Sequence, residues 1–271
     1  MFRSDMLIHA IVGVLVVQGV SFGYASNDNL LEGGSQLLRA GKRQEAIAFL
    51  EKAAHEGRGT PAAWYLLTKA YKAAHLSESA SDAAERLLRE YPDSAYTHKL
   101  AGEAYDAQFE EQSAEREFRR ALLLAPEMPE LHFALGLILW RRGEDAAAKV
   151  EFRKETQINP EFPRSWFYIG EIALRNGLIQ PALRSFQTAL DLNPNQYDAL
   201  CKIATCYQML HENQKAMQTF RIAIKLNPTG QNAHYRLSRL LRKQGRTEEA
   251  DREMKIVLQN TDSAKFPLSG R

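Results

Sequence analysis

Three histidines recur along the chain at multiples of one step and are the first residues to test for chemistry. His98 and His132 are 34 residues apart, and His234 lies three more such steps downstream. Imidazole nitrogens bind zinc, so a cluster of them would indicate a metal site. Equivalent positions in stacked helical units, however, lie about 10 Å or more apart, which is too far for a shared ion. We therefore expect these histidines to pack in the core, and we expect no metal or other cofactor.

The two cysteines, Cys201 and Cys206, also offer little chemistry. On one helix they would stand about 140° apart around the axis, which is a poor arrangement for a disulfide. We expect Cys206 to be a small half-buried residue and Cys201 to face a groove. The sequence has no Cys-x-x-Cys pair, His-Glu-x-x-His motif, nucleophile elbow or Gly-rich phosphate loop. It therefore predicts that the protein is not an enzyme.

The elements that position these residues repeat every 34 residues. Seven alanines keep this step: Ala46, Ala80, Ala114, Ala148, Ala182, Ala216 and Ala250. Five prolines keep it as well: Pro92, Pro126, Pro160, Pro194 and Pro228. A period of this length is typical of stacked helix-turn-helix units. The columns align when the units are numbered from Asn27, Pro61, Ala95, Pro129, Pro163, Tyr197 and Gln231.

Each unit has the pattern of two amphipathic helices. Positions 4, 7 and 11 fall on one face of a first helix, and positions 20, 24 and 27 fall on one face of a second. Position 8 is small throughout: Gly34, Thr68, Gly102, Gly136, Gly170, Ala204 and Ser238. With the alanine at position 20, it lets the two helices approach closely, while bulky residues such as Phe118 at position 24 fill the space around them.

Glycine and proline mark the helix ends. Position 15 suits a left-handed residue after the first helix and is glycine in four units: Gly41, Gly143, Gly177 and Gly245. Proline at position 32 stops the second helix, because it has no amide hydrogen and restricts the residue before it. Proline at position 1, as in Pro61, Pro129 and Pro163, suits the first turn of the next helix.

The order of these residues resembles the tetratricopeptide repeat (TPR) family. The unit that begins at Ala95 has the family's pattern in register: Gly102, Tyr105, Ala114, Phe118, Ala121 and Pro126. Residues 95–228 match best, although Glu155 replaces the small residue at position 27 of the fourth unit. The resemblance implies an all-α fold, a right-handed superhelical solenoid of antiparallel helix pairs.

We predict seven TPR-like repeats over residues 27–261, followed by a short tail over residues 262–271. The predicted repeats are 27–60, 61–94, 95–128, 129–162, 163–196, 197–230 and 231–261. Such a solenoid buries its core between neighbouring repeats, so the length does not require one large globular core. No catalytic domain fits into the tail.

Residues 1–25 lie outside the array and have the layout of a secretory signal peptide. Arg3 precedes an apolar run from Met6 to Val17, and the small residues Gly23 and Ala25 fit cleavage after Ala25. The favoured location is therefore periplasmic or secreted. The alternative is an uncleaved N-terminal membrane anchor, because the run is near the lower length limit for a membrane span.

Binding residues are expected on the first helices. In proteins that resemble this one, positions 2, 5, 9, 12 and 13 line a concave groove that holds a peptide. Position 5 is not needed to close the core, and it provides an aromatic row of Tyr65, Phe133, Phe167 and Tyr235. The other candidate groove residues are Lys69, Tyr96, Lys99, Trp140, Arg175, Lys202, Arg236 and Arg239. Exposed aromatics bury much area at low entropic cost, and the flanking cations favour a partner with carboxylates.

Charge narrows the class of partner. The formal net charge is only +2, and no long basic stripe is interleaved with aromatics, so we expect no nucleic acid. From Gln231 onward, nine basic residues stand against five acidic ones, a net of +4, which suits an acidic partner or an anionic surface. We expect membrane contact only through an uncleaved N-terminal segment.

The function that the sequence favours is a non-catalytic scaffold that binds a protein or peptide segment in its groove. Two alternatives stay open. One is a structural subunit of a cell-envelope assembly that packs against its partners by its edges, and the other is an accessory module of an enzyme encoded elsewhere.

Overall fold

The computed structural model describes residues 25–55 and 61–265 of the chain. The predicted signal peptide lies outside these residues, apart from Ala25, which begins the first helix. Within the described ranges there are fourteen α-helices and no strand, so the all-α prediction is confirmed. The helices are α1 (Ala25–Arg39), α2 (Arg43–His55), α3 (Pro61–Ala73), α4 (Ser77–Glu90), α5 (Ala95–Ala107), α6 (Glu111–Leu124), α7 (Leu131–Arg141), α8 (Asp145–Ile158), α9 (Pro163–Arg175), α10 (Ile179–Leu192), α11 (Tyr197–Met209), α12 (Asn213–Leu226), α13 (Gln231–Lys243) and α14 (Thr247–Lys265).

The helices belong to two compact units, residues 1–138 and 139–271. In the first unit, α1 packs on α2, α3 on α4 and α5 on α6, and α2 and α4 also pack on the first helix that follows each of them. In the second unit, the pairs are α9 with α10, α11 with α12 and α13 with α14, and α8, α10 and α12 pack on the helix that follows each of them. No described helix is long and apolar enough to span a membrane.

Small residues hold the two helices of a pair together. The alanine at position 20 is completely buried in all seven repeats. A Cβ atom built on Gly102 would lie 2.6 Å from the Phe118 ring, and one built on Gly170 would lie 2.7 Å from the Phe186 ring. The prediction that position 8 allows close approach to the bulky residue at position 24 is therefore confirmed.

The prolines at position 32 end the second helices as predicted. Helices α4, α6, α8, α10 and α12 each end two residues before the proline. The intervening residue leaves the helical region, for example with φ −137° at Tyr91 and −142° at Asn193. In the last repeat this position is Asp262, and α14 continues to Lys265 because no proline stops it. The predicted tail therefore begins too early, since its first four residues are helical.

A second correction concerns the start of α7. The sequence predicts Pro129 in the first turn of this helix, but the helix begins at Leu131. Glu130 has φ +70°, a left-handed conformation that cannot continue into a right-handed helix. Pro129 therefore lies in the connecting loop, whereas Pro61 and Pro163 do begin their helices.

The left-handed residue after each first helix occurs in every repeat. The four predicted glycines have φ between +73° and +79°. In the three repeats that lack glycine, His75, Phe109 and His211 occupy the same position with φ of +59°, +62° and +61°. The turn geometry therefore persists where the residue type is unsuited to it, at a cost of about 1–2 kcal/mol for each non-glycine residue.

We expect Phe109→Gly and His211→Gly each to raise the free energy of unfolding by about 0.5–1 kcal/mol. Glycine removes the left-handed strain and loses part of this gain through its greater entropy in the unfolded chain. Both side chains are exposed, so little packing is lost. Urea unfolding of each variant checks the prediction. The control, Phe109→Ala, keeps a Cβ atom and should gain almost nothing, and equal gains from alanine and glycine would contradict the strain argument.

Candidate binding surface of the first helices

The repeated histidines are structural. His98 is buried, with Nδ1 2.7 Å from Glu117 Oε2 and Nε2 2.7 Å from the carbonyl oxygen of Pro92. His234 makes the equivalent contacts, 2.5 Å to Glu253 Oε2 and 2.9 Å to the Pro228 carbonyl. Each ring thus joins the start of a first helix to the preceding repeat and to its own second helix. Among the described residues, no three His, Cys, Asp or Glu side chains are placed to hold a metal ion.

Both cysteines are core residues with free thiols. Cys206 is completely buried, and Cys201 is only 1% exposed, in a cluster with Met217 and Leu237. The prediction that Cys201 faces a groove is therefore wrong, because the neighbouring helices cover position 5 here. Burial raises the pKa of both thiols to about 11, so little nucleophilic thiolate is present at neutral pH.

The position 5 aromatics do not form one exposed row. Tyr235 is 44% exposed, whereas Phe133 is only 4% exposed, so the placement of Phe133 in the groove is wrong. The cause is the composition of α7, which is apolar on nearly every side, with Leu131 and Ile138 also buried completely. Phe167 is partly buried, with its ring 5.4 Å from that of the core residue Phe186.

Trp140 and Arg175, two of the predicted groove residues, belong to one aromatic cluster. The Arg175 guanidinium lies 5.1 Å from the centre of the Trp140 ring and donates to Asp145 at 2.5 Å. The Trp140 ring meets Tyr168 edge-on at 4.9 Å, and Tyr168 stacks on Phe152 at 5.4 Å. Arg175 is therefore already engaged by a carboxylate and a ring, and Tyr168 is a residue that sequence reasoning missed.

Several predicted groove cations are also paired within the chain. Lys99 Nζ lies 3.3 Å from Glu130 Oε2 and also donates to the Pro129 carbonyl. Lys202 donates to Glu171 at 2.8 Å, and Lys72, which was not among the predicted groove residues, pairs with Glu103. Each pair joins residues 31 apart, three short of the repeat. This spacing places Lys72 and Glu103, and Lys202 and Glu171, on neighbouring first helices, whereas Glu130 lies just before the first helix that follows Lys99. An opposite charge at that spacing was the available sequence signal, and it was missed.

Two tyrosine–cation pairs remain without a carboxylate partner. Lys69 Nζ lies 5.4 Å from the centre of the Tyr65 ring, and the Arg239 guanidinium lies 5.9 Å from that of Tyr235. Both pairs join positions 5 and 9, in the second and seventh repeats. Neither cation has a hydrogen bond or ion pair to another described residue. We call them the Tyr65–Lys69 pair and the Tyr235–Arg239 pair.

The surroundings of the two pairs differ. The side chain of Lys69 reaches solvent, yet desolvation by nearby protein atoms lowers its pKa, with Glu103 opposing the shift and Lys72 and Lys99 adding to it. Tyr65 has a raised pKa because of burial, and next because of Glu103 and Tyr96. Tyr96 is half-buried beside this pair.

Next to the Tyr235–Arg239 pair, Arg236 donates only to the neutral amide oxygen of Asn232, at 2.9 Å. Helix α13 therefore has, in Arg236 and Arg239, two cations that no carboxylate of the described residues neutralises.

Helix α13, which carries the Tyr235–Arg239 pair, is positioned by a side chain of the preceding repeat. The Tyr197 hydroxyl donates to the Gly230 carbonyl at 2.8 Å and accepts from the Ala233 amide at 3.0 Å. It therefore does the work of an N-cap, since Gly230 has no side chain to satisfy the first turn. Sequence reasoning treated Tyr197 only as a register position and missed this role.

Comparison with protein families matches tetratricopeptide repeat families over residues 37–103, and over residues 112–152 and 169–230, together more than half of the chain. No curated protein sequence matches the chain significantly.

Similar solved structures include a tetratricopeptide repeat protein from Parabacteroides merdae, 17% identical, which covers 86% of this chain and 93% of its own at a TM-score of 0.66. PilF from Pseudomonas aeruginosa is 21% identical, and the match covers 77% of this chain and 93% of PilF at a TM-score of 0.66. YrrB, described as a TPR protein with an unusual peptide-binding site, is 20% identical. The match covers 68% of this chain and 95% of YrrB at a TM-score of 0.55. At these identities the likeness shows the fold, a solenoid of paired helices.

We expect Phe133→Ala to lower the free energy of unfolding by about 3–5 kcal/mol, because it leaves a cavity in the core. Tyr235→Ala, the matched change at the same repeat position, should change it by less than about 0.5 kcal/mol, because the ring is already half exposed. Urea unfolding of both variants checks the assignment. Similar losses for the two variants would mean that position 5 has one common role.

Proposed function

Because the chain belongs to the tetratricopeptide repeat family, we propose that it is a non-catalytic scaffold that binds acidic protein or peptide segments on its first helices. TPR proteins generally mediate protein–protein interaction, and this coarse function follows from membership. The proposal adds the type of partner and the place of binding, which is the Tyr65–Lys69 pair in one unit and the Tyr235–Arg239 pair in the other.

The observation that supports this proposal is the exposed ring of Tyr235 beneath an unpaired guanidinium. A tyrosine ring contributes a large contact area and has few rotatable bonds to immobilise on binding. Arg239 above the ring can pair with a partner carboxylate through two parallel hydrogen bonds, while the ring contacts apolar atoms of the same partner. Arg236 adds a second positive charge on the same helix.

The internal ion pairs also support an acidic partner at these two places. Lys99, Lys202 and Arg175 are neutralised by carboxylates of the chain itself, so an incoming acidic segment would have to displace these carboxylates. Lys69 and Arg239 require no such displacement. The net charge of +4 from Gln231 onward adds a long-range attraction toward the second pair. YrrB shares the fold, and its peptide-binding site agrees with this use of the fold.

We expect Tyr235→Ala combined with Arg239→Glu to weaken binding of a purified native partner at least tenfold, a loss of about 1.4 kcal/mol or more. The partner is first recovered by crosslinking and pull-down from the native compartment, and Kd is then measured by calorimetry at two salt concentrations. Lys69→Glu tests the first pair in the same way.

The control is Lys225→Glu, which makes the same charge change at an exposed lysine of α12 that has no ion pair with a described residue. Unchanged Kd for the Tyr235/Arg239 and Lys69 variants would refute the proposed surface. An equally large loss of affinity with Lys225→Glu would show that the weakening comes from the change in net charge and not from these two pairs.

We also infer that the protein is exported, with residues 1–25 removed as a signal peptide. Support comes from the sequence alone, namely the apolar run from Met6 to Val17 and the small residues before the cleavage point. N-terminal sequencing of the protein isolated from its host should find Ser26 first. A chain that still begins at Met1 in the membrane fraction would establish the anchor instead.

A further inference from the structure

A second surface lies on the second helices of residues 139–271. A cavity of about 590 Å³ opens there between α8 and α10, above α9. Trp166, Ile169 and Ala173 of α9 form its floor, and we call it the Ala173 cavity. The walls carry the cations Lys149, Arg153 and Arg184, and the charged side-chain group of none of them has a hydrogen bond or ion pair to another described residue.

The cavity exists because one side chain of the repeat pattern is absent. Position 11 is large in the other six repeats: Leu37, Tyr71, Tyr105, Leu139, Tyr207 and Leu241. In the second and third repeats, this tyrosine extends to the preceding second helix and donates to the glutamate at its position 25. The hydroxyl of Tyr71 lies 2.6 Å from Glu51 Oε1, and that of Tyr105 lies 3.2 Å from Glu85 Oε1.

In the fifth repeat both partners of this contact are changed. Ala173 stands in place of the tyrosine, and Arg153 stands in place of the glutamate on the preceding second helix. The space that a leucine or tyrosine fills in the other repeats is therefore open. The group at its edge is a cation, as it also is at Arg119 and Arg221, whereas Glu51 and Glu85 are anions at the same position.

Apart from the Gln157 amide, the side-chain donors that remain available in the Ala173 cavity are charged. The hydroxyls on its walls are already committed to the backbone: Thr156 donates to Arg153, Ser185 to Pro181 and Thr188 to Arg184. Lys149 and Arg153 lie one helical turn apart on the same face of α8, where like charges repel each other. An anionic group placed between the walls would remove this repulsion and satisfy the free N–H donors.

We propose that the Ala173 cavity binds an acidic protein segment, which inserts one large apolar or aromatic side chain above Ala173 and pairs its flanking carboxylates with Lys149, Arg153 and Arg184. The apolar floor favours a side chain over a simple anion, and the volume lies within the range of about 300–1,000 Å³ for ligand pockets. The proposal goes beyond the function proposed above and does not depend on it, because the two surfaces lie on different helices.

The decisive variant fills the cavity with the chain's own pattern. Ala173→Tyr combined with Arg153→Glu reproduces the tyrosine–glutamate contact of the second and third repeats, so the variant should fold while the cavity is closed. Arg184→Glu tests the opposite wall without filling the space. The matched control is again Lys225→Glu, an exposed position outside the cavity.

The probes are fluorescein-labelled peptides in which one Leu, Phe, Tyr or Trp stands between paired glutamates. One comparison set replaces the apolar residue by Ser, and another replaces each Glu by Lys. At least one acidic apolar peptide should bind the full chain, with Kd raised at least tenfold by Ala173→Tyr/Arg153→Glu and by Arg184→Glu, but unchanged by Lys225→Glu. Thermal unfolding shows whether each variant is folded. If Ala173→Tyr/Arg153→Glu is unfolded, the Kd of Arg184→Glu decides the test.

Three results would overturn the proposal. One is that no acidic apolar peptide binds. A second is that the Ser peptides or inorganic phosphate bind equally well, which would indicate a simple anion site. A third is that binding survives the cavity variants but is lost in Tyr235→Ala/Arg239→Glu, which would place the peptide on the first helices and support the other proposal instead.

Discussion

The contact between a small residue on the first helix and a large ring on the second sets the spacing of the structure. At Gly102 and Gly170 the opposing phenylalanine is so close that even a methyl group would overlap it. The alanine at position 20 is buried completely in every repeat for the same reason. Because this contact fixes the distance between paired helices, histidine and tyrosine side chains can make the same contacts between repeats at more than one place. The left-handed turn also persists where no glycine supports it.

Because the repeats are evenly spaced, charged residues that pair between neighbouring repeats are separated by a constant number of residues. Three lysine–glutamate pairs join residues 31 apart, two of them between adjacent first helices and one between α5 and the residue just before α7. These pairs are partly exposed, so each contributes little to stability, about 0–1 kcal/mol. Their larger effect is on recognition, because they neutralise Lys99 and Lys202, two of the six cations that the sequence predicts for the groove. The cations that matter for binding are therefore those for which no acidic residue occupies the facing position.

The periodic part of the structure was predictable from the sequence, because helix ends and close contacts depend on residues within one repeat. The alanine at repeat position 20 is buried, the small residue at position 8 lies against the second helix, and the proline at position 32 follows the end of that helix, as the sequence predicts. Position 5 did not, since its burial depends on the neighbouring repeat: Phe133 and Cys201 are covered, whereas Tyr235 is exposed. The start of α7 was also missed, because the left-handed Glu130 is a conformation that residue type alone does not indicate. Ion pairs and ring contacts between repeats depend on three-dimensional distances, which an alignment of repeat positions does not give.

Both proposed binding surfaces lie where a repeat departs from the contacts of its neighbours. On the first helices, the departure is a cation at position 9 without a carboxylate opposite it. At the Ala173 cavity, the departure is Ala173 of α9, where the other six repeats have leucine or tyrosine. Next to it lies Arg153 of α8, at the position where Glu51 and Glu85 receive a tyrosine hydroxyl. The two substitutions are complementary, because loss of the ring opens the space and reversal of the charge makes the opening suited to an anion. A small residue at Ala173 alone would be a neutral change in packing, and a cation at Arg153 alone would be an ordinary solvated charge. Arg119 and Arg221 are cations at the same position as Arg153, but the next repeat has a leucine at position 11 in both cases. The cation at Arg153 instead borders an opening, and this is the physical reason to regard the cavity as a binding site.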